Sequence, residues 1–138
     1  MNVRELEKLY PGAATFHFGD NEALCRELTE LVRSGRKTAT CEALDAFFET
    51  GAALPEEGRK DIVLNWDDSP ALVIETISVE WVRFCDVGEK FALAEGEDDS
   101  LEGWREGHKR YFERNGNFSP SMVLVCERFK LVRDLAKG

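Results

Sequence analysis

Histidine is scarce in this chain. Only His17 and His108 occur among 138 residues, and none of the four cysteines (Cys25, Cys41, Cys85, Cys126) forms a C-x-x-C pair. These absences exclude the standard zinc signatures, in which cysteine and histidine recur at short fixed spacings. No resident cofactor or metal is expected, although the carboxylates leave room for a loosely held divalent cation. The cysteines are expected to be reduced, mostly buried thiols that pack as small apolar residues. No apolar run approaches the roughly 18 residues that a membrane-spanning helix needs. The stretch Met1-Asn2-Val3-Arg4-Glu5-Leu6-Glu7 has neither the apolar core of a secretory signal nor the acid-poor character of a transit segment. A cytoplasmic location with no membrane partner is the expectation. A basic excess is also missing: 18 Lys and Arg against 27 Asp and Glu give a net charge of −9. Duplex DNA is therefore not the expected partner, because its binding depends on neutralising many phosphates.

What is present points to one domain over residues 1–138, with no repeat, linker or low-complexity segment. Asn2 and Glu5 have capping-box spacing before a short helix that Pro11-Gly12 ends. Asp20 or Asn21 caps a second helix, with Leu24, Leu28, Leu31 and Val32 on one stripe and Gly35 at its end. Lys37 to Thr40 reads as a connection into a third helix over 42–50. Residues 61–66 and 71–84 read as strands. In the second of these, apolar parity switches from Leu72 and Ile74 to Ile77, Val79 and Trp81, which calls for a bulge or bend. A helix over 87–94 follows, then one opened by Asp99 and Glu102 at capping-box spacing, with Leu101, Trp104, His108 and Tyr111 on one face. Residues 121–132 close the chain as a strand. This order favours an α+β fold, a small mixed β-barrel with helices around its rim, over a doubly wound parallel sheet.

Four groups of residues carry chemistry. On one turn of helix or in a tight loop, Lys37 and Thr40, three apart, bring an ammonium and a hydroxyl to the same side, with Arg36 adjacent as a second cation. A hydroxyl nucleophile needs a base, and a lysine serves when its pKa is lowered; the plain alternative is a turn in which Thr40 caps the next helix. In Glu95-Gly96-Glu97-Asp98-Asp99 one carboxylate can orient Lys37 or move a proton, or the stretch is a solvated loop. Trp104 and His108, four apart on one helix, suit base stacking or phosphate contact, or belong to the core. Glu127 lies among the apolar residues Val123, Val125, Phe129 and Leu131 of the last strand. It needs a partner such as an arginine, or its pKa rises.

Phe16-His17-Phe18-Gly19-Asp20, Ser34-Gly35-Arg36-Lys37-Thr38-Ala39-Thr40, Glu95-Gly96-Glu97, Leu101-Glu102-Gly103-Trp104-Arg105 and Cys126-Glu127-Arg128-Phe129 together resemble the ASCH domain family, over roughly residues 16–133. The resemblance implies a PUA-like β-barrel with rim helices and an association with RNA. One small bacterial branch removes the acyl group from the exocyclic amine of acylated cytidine with a lysine, a threonine and a glutamate. On the matching motifs these fall on Lys37, Thr40 and Glu95. A longer branch, nearer this chain in length, includes a protein reported as a ribonuclease. The chain departs from the small amidohydrolases by the additional helical stretch over 42–50 and a longer segment over 104–117.

Three functions follow as expectations. The first is hydrolysis of an acylated cytidine-type nucleoside, with Thr40 as nucleophile, Lys37 as proton acceptor and Glu95 orienting Lys37 or protonating the leaving amine. The second is a ribonuclease that cleaves single-stranded RNA in the same cleft. The third is a non-catalytic RNA-binding module. Arg36, Trp104, His108 and Glu127 complete the site as substrate-binding residues. The expected partner is RNA or a modified nucleoside.

Overall fold

A computed structural model describes residues 1–116 and 118–137. The elements are α1 (Val3–Leu9), β1 (Thr15–Phe16), α2 (Glu22–Arg33), β2 (Ala39–Ala43), α3 (Leu44–Thr50), β3 (Lys60–Leu64), β4 (Pro70–Arg83), α4 (Glu89–Ala94), α5 (Leu101–Asn115) and β5 (Val123–Asp134). The five strands form one mixed sheet in the order β1-β3-β4-β5-β2. The β1–β3 pair is parallel and the other pairs are antiparallel. The fold is α+β as expected. Among the described residues β1 and β2 lie at opposite edges of the sheet, so it is open where a closed barrel was expected.

Local sequence explains most of the elements. The Asn2–Glu5 capping box is formed in both directions, and the Asn21 side chain accepts from the Leu24 amide to cap α2. For α5 the cap is Ser100, which accepts from the Gly103 amide, and not Asp99. In β4 the register against β5 shifts between Val73 and Ile74 and again between Thr76 and Ser78. The second shift skips Ile77, which is half exposed, and accounts for the parity switch in the sequence.

Both faces of the sheet are covered. Ile62, Leu64 and Val73 pack with Leu6 of α1. Val63, Leu72, Ile74 and Phe129 pack with Leu28 and Val32 of α2. At the other end, Phe84, Leu124 and Cys126 pack with Ala92 of α4 and with Trp104 and Phe112 of α5. The four cysteines are free thiols; Cys25 and Cys126 are buried, Cys41 is half-buried and Cys85 is exposed. Among the described residues no helix is long and apolar enough to cross a membrane.

Two glycines set the path that matters for the site. Gly35, at φ 85°, turns the chain out of α2, and its amide donates to the Val32 carbonyl at 3.0 Å. The amides of Arg36 and Lys37 then both donate to the Leu31 carbonyl. Gly96, at φ 76°, lies against that turn. A Cβ there would meet the Arg36 carbonyl oxygen at 2.4 Å and the Lys37 nitrogen at 3.0 Å. Gly96→Ala is therefore expected to separate the two loops and to destabilise the fold by about 1–3 kcal/mol, from positive-φ strain and the backbone clash together. Urea denaturation measures the loss, and an unchanged midpoint would show that the close approach carries no weight.

Candidate functional site

The site is built where the loop after α2 meets the end of α4. The Thr38 amide donates to the Ala94 carbonyl at 2.8 Å, and the Phe129 amide donates to the Thr38 carbonyl at 3.0 Å. These bonds hold Lys37 between α4 and the sheet. Lys37 is 2% exposed and Glu95 1%. Lys37 Nζ lies 3.3 Å from Glu95 Oε1, 3.4 Å from the Glu95 carbonyl oxygen and 3.2 Å from Glu97 Oε2. Glu95 Oε2 receives three further groups: the Trp104 indole N–H, His108 Nε2 at 3.1 Å, and the Cys41 thiol with Sγ at 3.6 Å.

The electrostatics follow from this packing. Burial works against charge on Lys37, but Glu95 and Glu97 outweigh it and raise its pKa above the ordinary 10.5. This corrects the expectation that a second cation lowers it: Arg36 is exposed, and carboxylates surround the ammonium instead. Burial likewise opposes ionisation of Glu95, yet Lys37, His108 and Trp104 bring its pKa down to about 2. His108 is also raised: burial disfavours its charge, and Glu95 and Glu97 more than compensate. Its Nδ1 lies 2.9 Å from the Trp104 carbonyl oxygen, so both ring nitrogens face acceptors. Burial and the neighbouring carboxylate push the Cys41 thiol well above its ordinary value.

These groups open on a cavity of about 620 Å³. Lys37, Thr40, Glu95, His108 and Glu127 all line it. Thr40 reaches it from β2, directly opposite Glu127 of β5 in the antiparallel register. This corrects the sequence reading, which placed Thr40 in a connection with a helix from Glu42: Thr40 lies in β2, and α3 begins only at Leu44 with Ala43 at its N-cap, so Thr40 does not cap it. Glu127, 7% exposed, finds its partner in the Thr76 hydroxyl at 2.7 Å and not in an arginine. The nearby Arg59 is engaged with Asp61 through Nε at 2.7 Å and Nη2 at 3.1 Å. Burial raises the Glu127 pKa.

Two expected substrate contacts lie elsewhere. Trp104 is fully buried and does not line the cavity. Its ring stacks on His108 at 4.1 Å between centroids, so it backs the site by fixing Glu95 and His108. Arg36 is exposed and outside the cavity, and its carbonyl faces Gly96. The sequence reading passed over Cys41, Glu42 and Tyr111 as site residues. Glu42 and Tyr111 line the cavity, where the Tyr111 hydroxyl donates to Glu42 Oε2 at 3.1 Å. Two signals could have found them: Tyr111 shares the α5 stripe of Trp104 and His108, and Glu42 shares strand parity with Thr40. Among the described residues, the group able to hold a metal ion is Cys41, Glu95 and His108.

The sequence profile of the ASCH domain matches residues 14–133, which include every residue named at this site. A crystal structure of a protein from Enterococcus faecalis V583 is 34% identical, with a TM-score of 0.80 over 94% of this chain and 84% of that one. An ASCH domain from Lactobacillus crispatus JV V101 is 32% identical, with a TM-score of 0.78 over 94% of this chain and 85% of that one. An ASCH protein from Zymomonas mobilis, at 12% identity and a TM-score of 0.52 over 89% of this chain and 73% of that one, shares the fold alone. No curated protein matches. A profile match over most of the chain, with two structures above 30% identity on the same fold, shows that the chain belongs to the ASCH domain family.

Proposed function

We infer that the chain is a hydrolase that removes the acyl group from the exocyclic amine of an acylated cytidine-type nucleoside. The observation that carries this reading is that Lys37, Thr40 and Glu95 line one cavity, with Lys37 and Glu95 in direct contact. A volume of about 620 Å³ lies within the usual range for small-molecule sites. Thr40 attacks the acyl carbon and, as the bond to the amine breaks, holds the acyl group as an ester; water then hydrolyses this covalent intermediate, releasing the carboxylic acid and restoring the hydroxyl. Neutral Lys37 accepts the hydroxyl proton and returns it to the leaving amine. Glu95 holds Lys37 in place; with a pKa near 2 and four groups on its carboxylate, it is a positioning residue and not the acid that protonates the amine. Glu127 and His108, on the same cavity, bind the nucleoside.

The test is to incubate the pure chain with a panel of N4-acylated cytidines and, separately, with single-stranded RNA, each with and without EDTA. Release of cytidine is the expected result. Release of RNA fragments instead would favour a ribonuclease, and release of neither a binding module.

The raised pKa of Lys37 gives a second prediction. At neutral pH only a small fraction of Lys37 is neutral, and that fraction grows about tenfold per pH unit. Acyl hydrolysis, corrected for the uncatalysed rate, is expected to have a kcat/KM that climbs through the neutral and mildly alkaline range without reaching a plateau below the ordinary lysine value of 10.5. A flat profile there would remove Lys37 from the role of proton acceptor.

A further inference from the structure

Cys41, Glu95 and His108 come from β2, the end of α4 and α5, and their ligand atoms all lie within 4.8 Å of one another. A tetrahedral zinc ion with bonds of about 2.3 Å to sulfur and about 2.0–2.2 Å to nitrogen and oxygen separates its ligands by roughly 3.3–3.6 Å. The thiol sulfur is already 3.6 Å from Glu95 Oε2, and His108 Nε2 is 3.1 Å from the same oxygen. Two edges of the tetrahedron are thus nearly formed. The outer contacts are also in place: His108 Nδ1 sits on the Trp104 carbonyl oxygen and Glu95 Oε1 on Lys37 Nζ, which fixes the orientation of both ligands.

We propose that Cys41 Sγ, Glu95 Oε2 and His108 Nε2 form a binding site for a thiophilic divalent cation of the zinc class, with its fourth position open to the cavity. A thiolate, an imidazole and one carboxylate suit zinc and cobalt(II), whereas magnesium and calcium take oxygen ligands. The exchange balances. Zinc enters with two positive charges, the thiol releases its proton, and the imidazolium form of His108 releases the proton on Nε2. The charge of the group, with Lys37 and Glu97 included, is the same before and after. The Trp104 indole N–H gives up its bond to Oε2, and Lys37 keeps its bond to Oε1. No sequence signature announces this site, because its ligands are spread over positions 41, 95 and 108.

Cobalt(II) titration of the full chain tests the proposal without reference to hydrolysis, so failure of the hydrolase reading and failure of this one are distinguishable. The expected result is one equivalent of bound cobalt with the intense visible absorption of a tetrahedral ion and a near-ultraviolet sulfur-to-cobalt band, both bleached by zinc. Cys41→Ser is expected to lose the sulfur band, and Cys85→Ser, which changes the exposed thiol, to keep it. In the unaltered chain zinc is expected to slow alkylation of Cys41 about tenfold when its concentration is tenfold above the dissociation constant, with Cys85 unprotected and magnesium without effect. A weak octahedral spectrum, a sulfur band that survives Cys41→Ser, or alkylation of Cys41 indifferent to zinc would overturn the site.

Discussion

Thr40→Ala is expected to lower kcat/KM for acyl hydrolysis by at least about 10²-fold, while Thr40→Ser retains a measurable share of activity. The hydroxyl is the reacting group, and serine keeps it. Lys37→Arg is expected to be nearly as damaging as Lys37→Ala. A guanidinium with a pKa above about 12 stays charged at neutral pH and accepts no proton. The order of these variants separates proton transfer from electrostatic anchoring. A ribonuclease or an RNA-binding module that needs only a positive charge at Lys37 would tolerate arginine and be indifferent to Thr40→Ala. Steady-state kinetics on an acylated cytidine, with circular dichroism to confirm folding, read the order directly. Near-normal hydrolysis by Lys37→Arg would remove lysine from the proton-transfer step. Normal hydrolysis by Thr40→Ala would remove the covalent intermediate.

The parts of the fold that sequence reports well are those with a local physical cause. The capping box at Asn2 and the apolar stripe of α2 arise within one or two helical turns, so their pattern survives in the chain itself. The parity switch in β4 is likewise local, because each residue's face is set by alternation until one residue is skipped. β2 is different. Ala39-Thr40-Cys41-Glu42-Ala43 has little intrinsic strand character and runs directly into α3, so its pattern divides between a connection up to Thr40 and a helix from Glu42. It is a strand because it pairs with β5, more than eighty residues away. The open edges of the sheet are equally non-local, since the same strands can close into a barrel or remain open.

The candidate site divides along the same line. The Lys37–Thr40 spacing and the Trp104–His108 stripe are visible in the chain, but the contact between Lys37 and Glu95 joins residues 58 apart and came from the family resemblance. The helical stripe showed that Trp104 and His108 share a face. It did not show that Trp104 lies in the core with its indole N–H on Glu95 while His108 reaches the cavity. That distinction depends on depth along the face, which is set by the Phe84 ring stacked on the indole at 5.4 Å between centroids, with His108 as the indole's other ring neighbour.

Glu95→Gln is expected to lower stability at neutral pH by about 3–5 kcal/mol, the cost of leaving buried charges without their counter-charge. Glutamine has the same shape, and its carbonyl oxygen can still accept from Trp104 or His108. The loss therefore reports charge more than volume. Lys37 keeps Glu97, whose side chain is partly exposed, and His108 loses the carboxylate that favours its imidazolium form. The pH dependence of the difference gives the sharper test. Glu95 ionises in the fold with a pKa near 2 against an ordinary 4.5. A carboxylate whose folded pKa is depressed contributes stability that is fully present above 4.5 and is lost as pH falls towards 2. The gap between the native chain and Glu95→Gln is expected to be widest at neutral pH and to close through that acid window. Urea denaturation of both proteins across the window measures it. A gap that stays constant would mean that Glu95 does not ionise against Lys37 and His108 in the folded chain, and the positioning role assigned to its carboxylate would fall.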